Sequence, residues 1–290
     1  MRLLAVLTAL LLGLAAPAFA ETVDRGRFTV EVRGAGPDVI LIPGLASSRA
    51  VWDETTRALE GRYRLHLVQV KGFAGEPVGA NAEGPVVAPL VEALAAYVAE
   101  AKLVRPAVIG HSMGGETALA LAARHPRAVG RVMVVDALPF YSLLFGPQTT
   151  PQSVRPQADA LRDGMLAQTP EQFEAGQKRI MAYMTKTPAG RELAVRWSME
   201  SDRSAIGRAM HELMVTDLRP ELANIKAPVT VLHAYDPSMM FPQATMEALY
   251  ANAYAGLPGA KLVRVDGAYH FLMWDQPERF RAEVERFLGE

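Results

Sequence analysis

The sequence predicts an α/β fold: a mostly parallel central sheet flanked by helices, with a helical cap inserted before its last strands. Three observations carry this. Short apolar runs of strand length alternate with longer stretches of helical period over residues 27–135, the order expected of a parallel sheet with helices on both faces. Strand-like runs then cease between Leu138 and Ile225. The alternation resumes at Val229 and continues to the chain's end.

Each element has its own reason. Arg27–Arg33 alternates apolar and polar residues, as a half-exposed edge strand does. Asp38–Ile42 is a short apolar run suited to a strand covered on both faces, and it stops at Pro43-Gly44. A helix is expected over Val51–Leu59, entered through Ser47-Ser48, and a strand over Arg64–Val70. A helix over Val86–Ala101, a buried strand over Ala107–Gly110, an alanine-rich helix over Met113–Arg124 and a strand over Arg131–Val135 follow. Within the strandless segment, helical spacing marks Glu171–Met184, Gly190–Glu200 and Ser204–Val215. Its periodic apolar residues are too many for a disordered linker. After Pro228 come a strand ending near Asp236, a helix over Pro242–Ala253, a strand from Lys261 and a last helix over Gln276–Leu288. The domain reading is thus a core made of residues 21–137 and 226–290, with a helical cap over 138–225.

Composition narrows the function. The 290 residues carry a net charge of −1 with acids and bases mixed along the chain, which gives no electrostatic support to a nucleic-acid role. There is no cysteine, so disulfides, thiolate nucleophiles and cysteine-ligated metals are excluded. No metal-binding spacing such as H-E-x-x-H occurs, and no cofactor is expected. The first twenty residues are different in kind: Arg2, an apolar run from Leu3 to Ala16, then Ala18-Phe19-Ala20 before a polar stretch. This reads as a secretory signal cleaved after Ala20, which implies a periplasmic or secreted protein without a lasting membrane anchor.

The chemistry concentrates at Gly110-His-Ser-Met-Gly-Gly115. A serine at a tight strand-to-helix corner needs small neighbours, and the helix that starts there points N–H groups toward the site. Ser112 is therefore the expected nucleophile. A hydroxyl needs a base, and of the six histidines His270 sits best, between the last strand and the last helix. His233, which closes the penultimate strand, reads as a core or pocket-wall residue. The carboxylate that orients the base is assigned to Asp236, at the end of the Val229–Tyr235 run; Asp136, after Val135, is the rival, with Asp266 behind both.

This succession of elements, the G-H-S-M-G-G corner and the order Ser112…Asp236…His270 resemble the α/β-hydrolase fold family over essentially the whole mature chain. The resemblance implies an oxyanion hole made by the backbone N–H groups of Met113 and of Leu45, in the loop Pro43-Gly-Leu-Ala-Ser-Ser48. It implies a serine hydrolase cleaving an ester-like bond of a small substrate through an acyl-enzyme, with an acyltransferase or a non-catalytic ligand binder of the same fold as alternatives. Two departures stand out: Pro43 replaces the histidine many members carry before the loop glycine, and Gln69 replaces a common aspartate before the glycine loop Gly72–Gly75. Met181, Met184, Met199, Met210, Met214, Met239 and Met240, in and beside the insertion, suggest an adaptable apolar substrate surface or core filler.

Overall fold

A computed structural model describes residues 21–289; the expected signal segment, 1–20, lies outside the described residues. Among those described, the chain runs β1 (Glu21–Asp24), β2 (Phe28–Arg33), β3 (Asp38–Ile42), α1 (Asp53–Leu59), β4 (Arg64–Val70), α2 (Val87–Glu100), β5 (Ala107–His111), α3 (Met113–Arg124) and β6 (Arg131–Val135). Then come α4 (Pro151–Ala167), α5 (Pro170–Met181), α6 (Pro188–Glu200), α7 (Arg203–Val215), β7 (Val229–Tyr235), α8 (Gln243–Ala253), β8 (Lys261–Asp266), α9 (Leu272–Asp275) and α10 (Pro277–Gly289).

The strands form one 8-stranded sheet in the order β1-β2-β4-β3-β5-β6-β7-β8. The β1–β2 and β2–β4 pairs are antiparallel, and every pair from β4 to β8 is parallel. Side chains alternate across the pleat. Ile40, Ile42, Val108 and Val134 join one buried cluster with α2 and α3, while Val39, Leu41, Ile109 and Val135 join another with Trp52 and α10. Both faces are therefore covered, which is why the central strands are continuously apolar in sequence.

Three elements differ from the sequence expectation. Strand β1 has no counterpart in it; this strand is four residues long and pairs only with β2 at the sheet's edge. Helix α4 has no counterpart either. It carries Pro156 in its interior and buries Val154 and Ala158, with Met165 packed partly buried on the same face, a narrow stripe among polar residues. It is also secured at its start: Thr150 and Ser153 form a reciprocal capping box around Pro151, and α4 then packs along α7. Helix α9, a single turn over Leu272–Asp275, has no counterpart either; it ends before Pro277, and α10 is the last helix that the sequence predicts.

The parallel register brings the carboxyl ends of β3, β5, β6, β7 and β8 to one rim of the sheet. The helices α4–α7 are inserted between β6 and β7 and reach the loop beyond β4. Asp202 N donates to Gly72 O at 2.7 Å, Gly75 N donates to Glu200 O at 3.2 Å, and Ala74 N donates to Ser201 Oγ at 2.8 Å.

Candidate active site

Ser112 stands between β5 and α3 with φ 54° and ψ −120°, a backbone conformation costing a non-glycine residue of order 1–3 kcal/mol. The surroundings hold it there. Its N–H donates to Val135 O at 2.9 Å, and its own carbonyl accepts from Gly115 N at 2.7 Å and Glu116 N at 3.1 Å. The flanking glycines are close approaches of backbone to backbone. A Cβ on Gly110 would lie 2.0 Å from Gly114 O, and one on Gly114 would lie 2.2 Å from Ile42 O. Ser112 does not cap α3 with its side chain.

His270 lies in the loop between β8 and α9, with its side chain 23% exposed. Its Nδ1 meets Asp136 Oδ2 at 2.7 Å. The expectation that Asp236 orients this ring is therefore corrected: the carboxylate in place is Asp136. Register gives the reason. Val135 aligns with His111 in β5 and with Leu232 in β7, so the next residue along β6 stands level with Ser112 and His233. Asp236 lies three positions beyond His233 and overshoots the site. Its Oδ2 accepts from Lys186 Nζ at 2.6 Å, and its Oδ1 accepts from Ser238 N at 2.9 Å and from the Ser238 hydroxyl. Lys186 and then Ser238 hold its carboxyl down to about 2.

Asp136 is fixed from three sides. It adopts φ 50°, and its Oδ1 accepts from Ala234 N at 2.9 Å and from Tyr250 Oη at 3.0 Å. Burial alone pushes its carboxyl up, but the bonds from His270, Ala234 and Tyr250 outweigh burial and hold it below the usual carboxylate range. His233, buried, stacks on Tyr250 with ring centroids 4.5 Å apart. An ionised Asp136 requires His270 to keep its proton on Nδ1, leaving Nε2 as the acceptor.

His111 has a role that sequence reasoning misses. Its side chain is buried, its Nε2 donates to His270 O at 3.0 Å, and the two rings lie 4.6 Å apart. Burial and the neighbouring His270 push its pKa down to about 3. The folded state thus refuses a proton that the unfolded chain takes up near 6.5. The stability His111 contributes is complete above about pH 6.5 and lost progressively as pH falls toward about 3. A change of about 2.5 units at 1.36 kcal/mol each makes wild type lose about 3 kcal/mol more between pH 6.5 and 4 than a His111→Gln variant does. Urea unfolding of both proteins at the two pH values checks this.

The loop after β3 passes beside the nucleophile. A Cβ on Gly44 would lie 3.2 Å from both Ser112 Cβ and His111 Nδ1. Leu45 follows, then Ala46 with φ 54°. Gln69 answers the question its own departure raised. Buried at the end of β4, it accepts from Arg49 N at 2.8 Å through Oε1 and donates to Ser47 O at 3.3 Å and Phe73 O at 3.0 Å through Nε2. One amide binds the stem of this loop to the glycine loop, using donor and acceptor together, which an aspartate could not do. Met113, the other expected oxyanion donor, is the first residue of α3 and is buried.

Of the methionines singled out, Met214 is fully buried core and Met240 is 89% exposed. Met181, Met184, Met199 and Met210 are partly buried against the two clusters. Among the described residues no group of three or more His, Asp or Glu is placed to hold a metal, and no helix is long and apolar enough to cross a membrane.

Comparison with known proteins agrees with this architecture. A family model described as the alpha/beta hydrolase fold matches residues 37–277. The pimeloyl-[acyl-carrier protein] methyl ester esterase of Aeromonas hydrophila subsp. hydrophila is 29% identical, covering 90% of this chain and 99% of its own. Among solved structures, a hydrolase from Pseudomonas aeruginosa PA01 superposes with TM-score 0.74 at 22% identity, over 91% of this chain and 94% of the other. An esterase from Exiguobacterium antarcticum superposes with TM-score 0.76 at 18% identity, over 91% and 96%.

Proposed function

The chain belongs to the α/β hydrolase fold family, and from that premise we propose that it is a serine esterase that cleaves small, hydrophobic carboxylic esters through an acyl-enzyme on Ser112. The observation that carries the reading is the 2.7 Å bond between His270 Nδ1 and Asp136, on the sheet rim that also presents Ser112 at its strained corner. Curated relatives named as methyl ester esterases support the bond class.

In the reaction His270 Nε2 takes the Ser112 proton as Oγ attacks the ester carbonyl carbon. Asp136 stabilises the imidazolium by holding Nδ1–H, and keeps its own charge. Negative charge develops on the carbonyl oxygen, where the N–H groups of Met113 and Leu45 receive it; one such donor is typically worth about 3–4 kcal/mol of barrier. His270 then gives its proton to the departing alcohol. Water enters, loses a proton to the same Nε2, and releases the acid while Ser112 recovers its hydrogen. The insertion α4–α7, seated on the Gly72–Gly75 loop, acts as a cap.

We take the bond class from the relatives and not their carrier protein. The substrate is a free ester, because residues 1–20 direct the chain out of the cytoplasm to the periplasm or beyond. Fluorophosphonate labelling tests the reading. Stoichiometric modification of Ser112, found by peptide mass spectrometry, together with turnover of short-chain chromogenic esters, is the expected result. A protein that neither labels nor turns over such esters is not an esterase of this kind.

A further inference from the structure

The loop that carries His270 is held on both sides of that residue, and each hold leads to the insertion. Tyr269 N donates to Asp275 Oδ2 at 2.8 Å, and Phe271 N donates to Met184 O at 3.0 Å. The second oxygen of Asp275 crosses to the segment between α5 and α6: Oδ1 accepts from the Thr185 hydroxyl at 2.6 Å and from Lys186 N at 2.9 Å. Thr185 is fully buried, and its carbonyl accepts from Arg191 Nε at 2.7 Å, which ties this segment to α6. One carboxylate therefore bonds the residue before the base with one oxygen and the stem of the cap with the other.

We propose that Asp275 is a positioning residue that makes the placement of His270 depend on the seating of the cap. This rests on the esterase reading of Ser112 and His270. With the cap seated, Asp275 and Met184 fix the backbone on either side of the base, and His111 fixes its carbonyl from below. When the segment 184–186 moves, the two bonds to Tyr269 and Phe271 move with it, and the imidazole leaves its line to Ser112. A substrate that helps seat the cap thereby completes its own catalytic site. Proper alignment is worth large factors, since displacement by about 1 Å can cost about 100-fold in rate.

The roles of the two oxygens make the test specific. In Asp275→Asn one oxygen becomes an NH2 group, which cannot accept from either set of donors, so one side of the bridge is lost. Thr185→Val removes the cap-side hydroxyl with almost no change of shape and touches nothing in the catalytic machinery. Kinetics on a short-chain p-nitrophenyl ester are expected to give Asp275→Asn a kcat lowered about 10- to 100-fold with KM within about twofold. Thr185→Val is expected to lose severalfold in kcat, and the double variant no more than Asp275→Asn alone, because both act through one bridge. The downfield Nδ1–H proton of His270, which reports its bond to Asp136 without turnover, is expected to shift or broaden in both single variants. Unchanged kcat and an unchanged proton in Thr185→Val, or losses that multiply in the double variant, overturn the proposal. If Asp275→Asn does not fold, Thr185→Val decides alone. Failure of the wild type to label at Ser112 would instead overturn the esterase reading, and the His270 proton would still decide whether the bridge sets the ring.

Discussion

Ser112→Ala is expected to lower kcat by about 10⁶-fold and to abolish fluorophosphonate labelling. The magnitude follows from how the machinery works as a unit: without the hydroxyl, the base and the oxyanion donors have no attacking atom to serve, and only a residual acceleration from binding and polarisation survives. The fold should be indifferent. The Ser112 side chain does not cap α3, and the interactions that define the corner are backbone bonds to Val135, Gly115 and Glu116. Alanine retains them, and it bears the same φ of 54° that serine does. Thermal unfolding should move by no more than a few degrees. Ser112→Gly separates the two effects further: equally inactive, it relieves the positive φ and should gain about 1 kcal/mol of stability. Under the esterase reading, the strain at Ser112 is kept for the hydroxyl that a glycine would lack. Ester turnover by purified Ser112→Ala within about tenfold of wild type would end the assignment.

The legibility of this site follows the range of the interactions involved. Gly110, Ser112 and Gly114 can be read because their constraint is local: a sharp turn with backbone passing 2.0 Å and 2.2 Å from where a Cβ on the two glycines would be. His270 can be read from chain order, since a residue between the last strand and the last helix must lie at the sheet's rim. The acid cannot. Asp136 and Asp236 both follow strands that end on that rim, and the choice between them depends on how far each strand extends past its neighbours. Parallel register is fixed by packing across the whole sheet, and no residue near either aspartate encodes it. Helix α4 is hidden for a related reason. Its stability comes from a capping box and from packing along α7, and its narrow apolar stripe, Val154, Ala158, Leu161 and Met165, is set among polar residues with a proline in the middle. His111 escapes notice because it adjoins the nucleophile in sequence, whereas its ring reaches the carbonyl of a residue 159 positions away.

The two aspartates give the second prediction. Asp136→Asn is expected to lower kcat by about 10⁴-fold with little change in KM, by the same logic that governs an asparagine in this position of a Ser-His-Asp triad. The introduced amide can still accept from Ala234 N and Tyr250 Oη with its oxygen. That leaves its NH2 group toward His270 Nδ1, where it must donate. The ring then carries its proton on Nε2 and presents a donor to Ser112, so it cannot act as a base. Because the protonated ring also loses its counter-charge, high pH should restore only part of the rate. Asp236→Asn is the control. It removes the charge that Lys186 answers at 2.6 Å, but that pair lies on the rim with the Lys186 side chain 43% exposed, where ion pairs contribute about 0–1 kcal/mol. Its kcat should stay within a few-fold of wild type. The comparison is decisive because the two substitutions are chemically identical and both aspartates follow strands of the same sheet. A collapse of kcat in Asp236→Asn, with Asp136→Asn active, would mean that the working enzyme recruits the acid from β7 and that the bond between His270 and Asp136 belongs to a resting arrangement.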